Sequence, residues 1–313
     1  MGTTGLRLWG LSTRMVNKSA RELEKELKNE LLKKEPKSAI IGDYTHIFSI
    51  CEQGNVDRII VALDERRGRF PIEQLLLCRL KGIRVDDGMA FTEDLAGKLS
   101  VENLRPSSLI FSNGFKRTAL SKRAKRYLDI VASALGLMLS FPVCLITALA
   151  IKLESPGPVF YRQERVGEDG KIFTLLKFRS MCSDAEKNGP VWATLKDQRV
   201  TRIGNVIRRL RLDEIPQMIN VLKGEMSFVG PRPERPVFIQ QLQKEIPYYS
   251  QRHVAKPGIT GWAQIRYPYG ASKEDALEKL KYDLYYIKHM SVLFDLTIIL
   301  ETLKIVLLRR GSR

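Results

Sequence analysis

Two adjacent acidic residues, Asp213 and Glu214, form the centre of the stretch with the most evident chemistry. Basic residues and a turn frame the pair, namely Arg208, Arg209, Arg211 and the Gly-Pro-Arg-Pro sequence at 230–233. Pro216 predicts a helix that begins near the pair, because proline is favoured in the first helical turn. Acids also suit a helix start for purely structural reasons, since the helix dipole is positive there.

The basic residues near the acid pair favour a reaction on a phosphate group. Carboxylates close to several guanidinium groups are expected to stay ionised, because nearby positive charge lowers their pKa. One carboxylate can act as a nucleophile, and the other can hold Mg²⁺ together with substrate phosphate oxygens. Arginines and a helix N-terminus bind phosphate. Together these parts predict phosphoryl transfer through an aspartyl phosphate.

A predicted β-hairpin over residues 154–181 supplies further cations. Two strand-like runs are separated by turn residues around Gly167 and Gly170. Lys177 and Arg179 are two residues apart, so they are expected on one face of a strand, within reach of an anionic ligand. The alternative is a solvated strand face.

The uncharged run Ile130–Ile151 is long enough to cross a hydrocarbon core of roughly 30 Å. Basic residues lie on both sides, at 122–126 and from Lys152 onward, and such residues mark the cytoplasmic side of a membrane. Pro142, mid-run, tends to kink or break a helix. Two alternatives stay open: a kinked spanning helix, and a re-entrant segment that turns at Ser140–Pro142 and leaves on the side it entered.

Residues 38–115 alternate strand and helix signals. The predicted strands are Ser38–Gly42, Arg58–Leu63 and Ile83–Val85, and the predicted helices are Ile47–Gln53 and Pro71–Lys81. This order predicts a small Rossmann-like parallel α/β module. No Gly-x-Gly-x-x-Gly follows its first strand, so a regulatory or structural module is expected and not a dinucleotide site.

Both ends of the chain carry amphipathic stretches. In the N-terminal segment 1–37, Ser19–Glu35 predicts a helix with leucines every fourth residue, either docked on the surface or forming a homo-oligomer contact. Met1–Val16 lacks the long apolar core of a secretory signal. Leu293–Leu308 is apolar but interrupted by Asp295, which fits a helix at the membrane interface or a packed core helix.

Composition limits the partners. The chain has 313 residues, a formal net charge of +17 and a pI of about 9.8, which fits nucleic acid, an anionic membrane or phosphorylated substrates. No helix-turn-helix or aromatic-interleaved basic motif is present, so nucleic acid is not the expected partner. The four cysteines lack metal-ligand spacing and indicate a reducing, cytosolic context.

Several motifs in one order closely resemble the bacterial sugar transferase family, the monotopic polyprenyl-phosphate phosphoglycosyl transferases, and in particular an exopolysaccharide-biosynthesis branch. The motifs are Ser155-Pro-Gly-Pro, Tyr161-Arg-Gln-Glu-Arg-Val-Gly, Lys177-Phe-Arg-Ser-Met, Leu212-Asp-Glu-Ile-Pro-Gln, 220–234 and 256–264. The likeness covers residues 122–313. The four-helix membrane bundle of larger members is absent from this chain, which we interpret as either a short form or a fragment.

The resemblance implies a ping-pong reaction in which a carboxylate takes a phosphosugar from a UDP-sugar, releases UMP and passes the phosphosugar to polyprenyl phosphate. It implies that Asp213 is the nucleophile and that Glu214 holds Mg²⁺. Lys177, Arg208 and Arg232 would contact phosphate, and Asp295 matches an acidic family position. The family's membrane break reads Ser-Pro, whereas here Ser140 stands two places before Pro142.

The combined expectation is an α/β chain with three parts: residues 1–37, a partial Rossmann-like module at 38–115 and a mostly helical catalytic domain at 116–313, with its membrane segment at 127–152. The domain would lie on the cytoplasmic face of the bacterial inner membrane, in contact with lipid. A scaffold or nucleic-acid-binding protein without catalysis is the alternative. The sequence does not identify the sugar.

Overall fold

A computed structural model describes residues 46–53, 56–61, 71–102, 113–115, 118–182, 185, 197–267, 270 and 272–307. The chain divides into two compact units, Met1–Gly97 and Lys98–Arg313, called here the N-terminal and C-terminal units. The predicted helix at Ser19–Glu35 and the predicted strand at Ser38–Gly42 lie outside the described residues. The domain limits drawn from the sequence remain a prediction.

The described part of the N-terminal unit, from residue 46 onward, contains two parallel strands and three helices. Its elements are α1 (Ile47–Gln53), β1 (Arg58–Val61), α2 (Ile72–Leu80), β2 (Arg84–Asp87) and α3 (Gly88–Ala96). Strands β1 and β2 pair in parallel with Ile59 opposite Val85, because α2 returns the chain to the same edge. Ile47, Leu75 and Cys78 are buried between the helices and this ribbon. The parallel β-α-β order predicted from the sequence is confirmed for these elements.

The C-terminal unit is mostly helical. Its elements are α4 (Ala119–Glu154), β3 (Phe160–Val166), β4 (Ile172–Phe178), α5 (Arg202–Arg209), α6 (Gln217–Lys223), β5 (Ser227–Val229), α7 (Pro236–Glu245), β6 (Gly258–Thr260), α8 (Trp262–Arg266), α9 (Lys273–His289) and α10 (Val292–Leu307). Strands β3 and β4 form the predicted antiparallel hairpin, with Tyr161 opposite Lys177. Strands β5 and β6 pair in parallel. The main core forms around α9, where Leu280, Leu284 and Tyr286 pack against Val229 and Ile298.

Helix α4 is long and apolar enough to cross a membrane, and no other described helix meets that test of length and composition. It stays helical through Pro142. The hydroxyl of Ser140 donates to the carbonyl of Gly136 at 2.6 Å, and such back-bonding tends to bend helices. Proline lacks the donor for the carbonyl four residues earlier, which is that of Met138. Ser140 therefore bonds a different carbonyl from the one that Pro142 leaves without its helical partner.

Both ends of α4 are fastened to the C-terminal unit. Near its start, the carboxylate of Asp129 accepts from the Ser227 hydroxyl and the Phe228 N–H, both at 2.9 Å. Near its end, Glu154 accepts from the N–H of Ile203 at 2.9 Å. Most of the apolar side chains between these points face outward and are exposed, namely Leu135, Met138, Leu139, Phe141, Leu145, Ile146 and Leu149. One long apolar surface therefore lies along a helix whose two ends contact the same folded unit.

The fully buried side chain of Asn220 joins α6 to the hairpin. Its carbonyl oxygen accepts from the N–H of Leu176 at 3.0 Å, and its amide donates to the carbonyl of Thr174 at 2.8 Å and to Glu225 at 2.7 Å. All its hydrogen-bonding atoms are thus used, and the short α6 is held against β4.

We expect Asn220→Ala to destabilise the protein, because it leaves the N–H of Leu176 and the carbonyl of Thr174 without this partner. The expected loss in the free energy of unfolding is about 2–4 kcal/mol. Asn205→Ala, at an exposed position of α5, should change it by less than about 0.5 kcal/mol. Chemical denaturation of detergent-purified protein measures both variants, and equal losses would contradict this role for Asn220.

Candidate active site

The acid pair lies in a single 3-10 turn, Leu212–Glu214, directly before α6. Arg211 reverses the chain after α5 by adopting a left-handed backbone conformation with φ of 59°. That conformation is disfavoured for a side-chain-bearing residue and costs roughly 1–2 kcal/mol. Helix α6 begins directly after Pro216, which is its N-cap residue, so the prediction of a helix that begins near the acid pair is confirmed. The two carboxylates therefore sit at the positive end of a short helix.

Glu214 is 8% exposed and surrounded by cations. One of its oxygens lies 2.7 Å from a guanidinium nitrogen of Arg232 and 3.1 Å from Nζ of Lys177, and the other lies 3.8 Å from Arg211. Burial alone would raise the pKa of Glu214, but the charges of Arg232, Lys177 and Arg211 outweigh it and hold that pKa well below its usual range. Glu214 is therefore ionised throughout the physiological pH range.

Asp213 behaves in the opposite way. Burial raises its pKa, and the negative charge of Glu214 raises it further, whereas Lys177, Arg208 and Arg232 only partly oppose the increase. The expectation that nearby arginines lower the pKa of both carboxylates is thus wrong for Asp213, because desolvation and its acidic neighbour prevail. The site holds one firmly ionised carboxylate beside one with a raised proton affinity.

Lys177 and Arg208 are brought to the acid pair from two different elements. Lys177 comes from β4, and burial lowers its pKa although Glu214 favours the charged form. Arg208 comes from the last turn of α5 and donates to the hydroxyl of Ser180 at 2.8 Å. Its charge lowers the pKa of Asp213. With Arg232, they are the predicted cations that surround the two carboxylates.

Arg179 is not brought there. Just beyond β4, its N–H still donates to the carbonyl of Val159 at 2.9 Å, but its side chain bonds the segment that follows α4. Its buried guanidinium donates to the carbonyls of Pro156 at 2.7 Å and of Ser155 at 2.8 Å, and to the Ser155 hydroxyl at 2.9 Å. The carbonyl of Ile151 is a further acceptor at 3.5 Å. Arg179 therefore closes the C-terminal end of α4, where helix carbonyls lack partners.

The bonding partners described for Asp295 are also not the other predicted site residues. It is completely buried, and its oxygens contact Nζ of Lys125 and the hydroxyl of Tyr286, each at 2.7 Å. Lys125 also donates to the carbonyl of Val229 at 3.0 Å. This group joins α4, α9 and α10 to β5.

Sequence reasoning assigned the basic flank of α4 to lipid, yet part of it binds protein. Arg126 donates to the carbonyls of Val221 at 2.6 Å and Leu222 at 2.8 Å, at the end of α6. Lys256 donates to the carbonyl of Gly224, the C-cap residue of α6, at 2.7 Å. Two cations thus satisfy the end of the helix whose start carries the acid pair. One sequence feature could have indicated that this flank binds protein: Asp129, an acidic residue at the edge of an otherwise uncharged run.

The carboxylate oxygens of the site determine whether it fits the predicted Mg²⁺. Among the described residues, no group of three or more His, Cys, Asp or Glu side chains could hold a metal ion. Asp213 and Glu214 offer carboxylate oxygens, although one oxygen of Glu214 already contacts two cations. Mg²⁺ commonly uses one or two carboxylates together with water and substrate phosphates. The pair therefore fits an ion that arrives with a phosphorylated substrate.

Comparison with known proteins agrees with this arrangement. The bacterial sugar transferase family matches residues 120–309, and the chain belongs to that family. A UDP-N-acetylgalactosamine-undecaprenyl-phosphate N-acetylgalactosaminephosphotransferase of Aeromonas hydrophila is 42% identical over 239 residues, covering 76% of this chain and 56% of that protein. A UDP-glucose:undecaprenyl-phosphate glucose-1-phosphate transferase of Escherichia coli is 47% identical over 268 residues, covering 83% and 57%.

An exopolysaccharide production protein of Rhizobium leguminosarum is 40% identical over 187 residues, covering 57% of this chain and 92% of that protein. The chain spans about half the length of the Aeromonas and Escherichia relatives.

We expect Glu214→Gln to lower the free energy of unfolding by about 3 kcal/mol at pH 7, because three cations would lose their buried counter-charge. Glu164→Gln, at an exposed position of β3, is the control and should change it by less than about 0.5 kcal/mol.

The difference in the free energy of unfolding between wild type and Glu214→Gln should also depend on pH. The folded pKa of Glu214 lies below its ordinary value of 4.5, so its stabilisation is fully present above that pH and is lost as the pH falls further. The difference in the free energy of unfolding between wild type and Glu214→Gln should therefore become smaller below pH 4.5. A gap that widens on acidification would contradict the assigned pairing.

Proposed function

We propose that the protein transfers a sugar phosphate from a UDP-sugar to polyprenyl phosphate, with Asp213 as the covalent nucleophile. The supporting observation is the arrangement of Asp213 beside an ionised, cation-bound Glu214, in a unit that also carries an exposed apolar helix. The relatives agree: two are named as transferases that use a UDP-sugar and undecaprenyl phosphate. The Rhizobium relative is named for exopolysaccharide production, which supports a role as the first step of such an assembly.

In the first half-reaction, an oxygen of the Asp213 carboxylate attacks the β-phosphorus of the UDP-sugar. The bond between that phosphorus and the bridging oxygen breaks, and the oxygen leaves with the electron pair as part of UMP. Asp213 then carries the sugar phosphate as an acyl phosphate. The raised pKa of Asp213 makes its ionised carboxylate a stronger nucleophile than an ordinary aspartate, because intrinsic nucleophilicity falls as the pKa of the attacking group falls.

In the second half-reaction, a phosphate oxygen of polyprenyl phosphate attacks the same phosphorus. The bond between phosphorus and the Asp213 oxygen breaks, which restores the carboxylate and yields a polyprenyl diphosphate sugar. Lys177, Arg208 and Arg232, whose charges act on Asp213, would balance the negative charge that gathers on the phosphoryl oxygens.

Mg²⁺, when bound by Glu214 and the substrate, would neutralise part of the diphosphate charge. Without substrate, the ion pairs of Glu214 keep this carboxylate ionised and fixed in place beside Asp213.

The chain is further proposed to lie on the cytoplasmic face of the inner membrane, with α4 entering and leaving on one side. Two observations support this placement. Both ends of α4 bond to one folded unit, and the outward side of the helix between them is apolar. Helix α10 adds Leu293, Leu300 and Leu303, which are also exposed. A UDP-sugar from the cytosol and a lipid phosphate at headgroup level would then meet at Asp213.

The leaving nucleotide tests the reaction. Membranes containing the protein, supplied with polyprenyl phosphate and either UDP-glucose or UDP-N-acetylgalactosamine, should release UMP with one of these donors. Asp213→Asn should reduce that rate at least about a thousandfold, because the nucleophile is lost. Release of UDP would instead indicate an ordinary glycosyltransferase that moves the sugar alone. Undiminished UMP release by Asp213→Asn would refute the assigned nucleophile.

The membrane placement is tested by labelling single cysteines in a background without Cys51, Cys78, Cys144 and Cys182. Lys122→Cys and Lys152→Cys, on opposite sides of the apolar run, should both resist a membrane-impermeant thiol reagent in intact spheroplasts and react after permeabilisation. Lys244→Cys, at an exposed position of α7, reports the side of the folded unit. Labelling of one flank from outside would establish a spanning helix.

A further inference from the structure

The loop that carries Arg232 is held entirely by its surroundings. Four consecutive carbonyls, those of residues 231–234, each accept a hydrogen bond from outside the loop. The donors are the Gly258 N–H at 2.9 Å, Arg252 at 3.0 Å, Arg165 at 2.9 Å and the Val166 N–H at 3.1 Å. Residues 231 and 233 are prolines and have no N–H of their own. Neighbouring segments therefore impose the path of the loop.

The donor to the Arg232 carbonyl is itself part of a buried ion pair. Arg252 is 5% exposed and lies 2.8 Å from a carboxylate oxygen of Asp283 on α9, which is 2% exposed. Arg252 also donates to the hydroxyl of Tyr249 at 2.7 Å. Burying a guanidinium is unfavourable unless it is paired in this way. Burial raises the pKa of Asp283 to about 6 even with Arg252 beside it, so the pair is a costly way to stabilise a core.

The geometry connects this pair to the acid pair through one residue. The carbonyl that Arg252 holds belongs to Arg232, and the side chain of Arg232 donates to Glu214 at 2.7 Å. Fixing that carbonyl fixes the peptide plane, and with it the direction in which the Arg232 side chain leaves the backbone. The hydrogen bonds and ion pairs described for Arg252 and Asp283 go to the loop, to Tyr249 and to each other.

We propose that the buried Arg252–Asp283 pair is a positioning device for Arg232. It holds the loop so that the Arg232 guanidinium meets Glu214 and the phosphate of the substrate. Arg165, through the carbonyl of Pro233, is the second support of the same loop. The inference rests on the proposed function, since it gives Arg232 a part in binding the sugar nucleotide.

A double-mutant cycle between residues 252 and 232 tests this. Arg252→Gln should lower kcat/KM for UMP release by roughly 10- to 100-fold, the scale of a catalytic group misplaced by about 1 Å. In an Arg232→Gln background, Arg252→Gln should lower kcat/KM by less than about threefold, because Arg232, through which Arg252 acts, is already replaced. The dissociation constant for the active UDP-sugar is measured for all four proteins, so the cycle closes even where turnover is low.

Two further variants separate positioning from folding. Arg252→Lys keeps a donor and the counter-charge for Asp283, and should lose less activity than Arg252→Gln. Glu278→Gln, also on α9, breaks two ion pairs, one with Lys98 and one of 3.1 Å with Lys281. It should stay within about twofold of wild type. Thermal unfolding of each variant shows whether lost activity merely follows lost stability.

The outcomes are distinguishable. If Arg252→Gln lowers kcat/KM by the same factor in the wild-type and the Arg232→Gln protein, Arg252 acts independently of Arg232 and the inference is overturned. If wild-type protein releases no UMP from either donor, the proposed function fails before the cycle is reached. Wild-type turnover with a non-additive cycle supports both.

Discussion

The buried, ionised carboxylate of Glu214 is the interaction on which the arrangement of the C-terminal unit depends. Its three cations come from separate parts of the chain: Lys177 from the hairpin, Arg211 from the turn after α5 and Arg232 from the loop after β5. A single negative charge thus draws three segments to one point. Without it, three positive charges would share a partly desolvated pocket, which is unfavourable.

The same charge also acts on the carboxylate next to it. Burial raises the pKa of Asp213, and the ionised Glu214 raises it further because it disfavours a second negative charge. Adjacent residues in the sequence thereby acquire different properties: one carboxylate stays bound to cations, and the other gains basicity, as the proposed nucleophile requires. A pair of titrating groups pushed apart in pKa commonly divides its roles in this manner.

Local structure could be predicted from the sequence because its causes are local. Helix α1 has the predicted limits, the hairpin forms around Gly167 and Gly170, and Pro216 starts α6. Arg208 and the turn with Arg232 frame the acid pair in the sequence itself. Lys177 could be assigned to the pair only through the resemblance to a family, since spacing alone does not bring the hairpin to it.

What could not be predicted depends on contacts between residues distant in the sequence. The side chain of Arg179 bonds the carbonyls that follow α4, and Asp295 pairs with Lys125, which lies 170 positions away in the sequence. Arg252 and Asp283 belong to no motif that a single sequence reveals. The raised pKa of Asp213 also required the structure, because burial cannot be deduced from a run of arginines.

The most direct measurement is the mass of the peptide that contains Asp213 after brief incubation with the UDP-sugar donor and no polyprenyl phosphate. A phosphosugar attached to Asp213, which disappears when polyprenyl phosphate is added, is the expected result. An unmodified Asp213 under conditions of single-turnover UMP release, or a phosphosugar on another residue, would contradict the assignment.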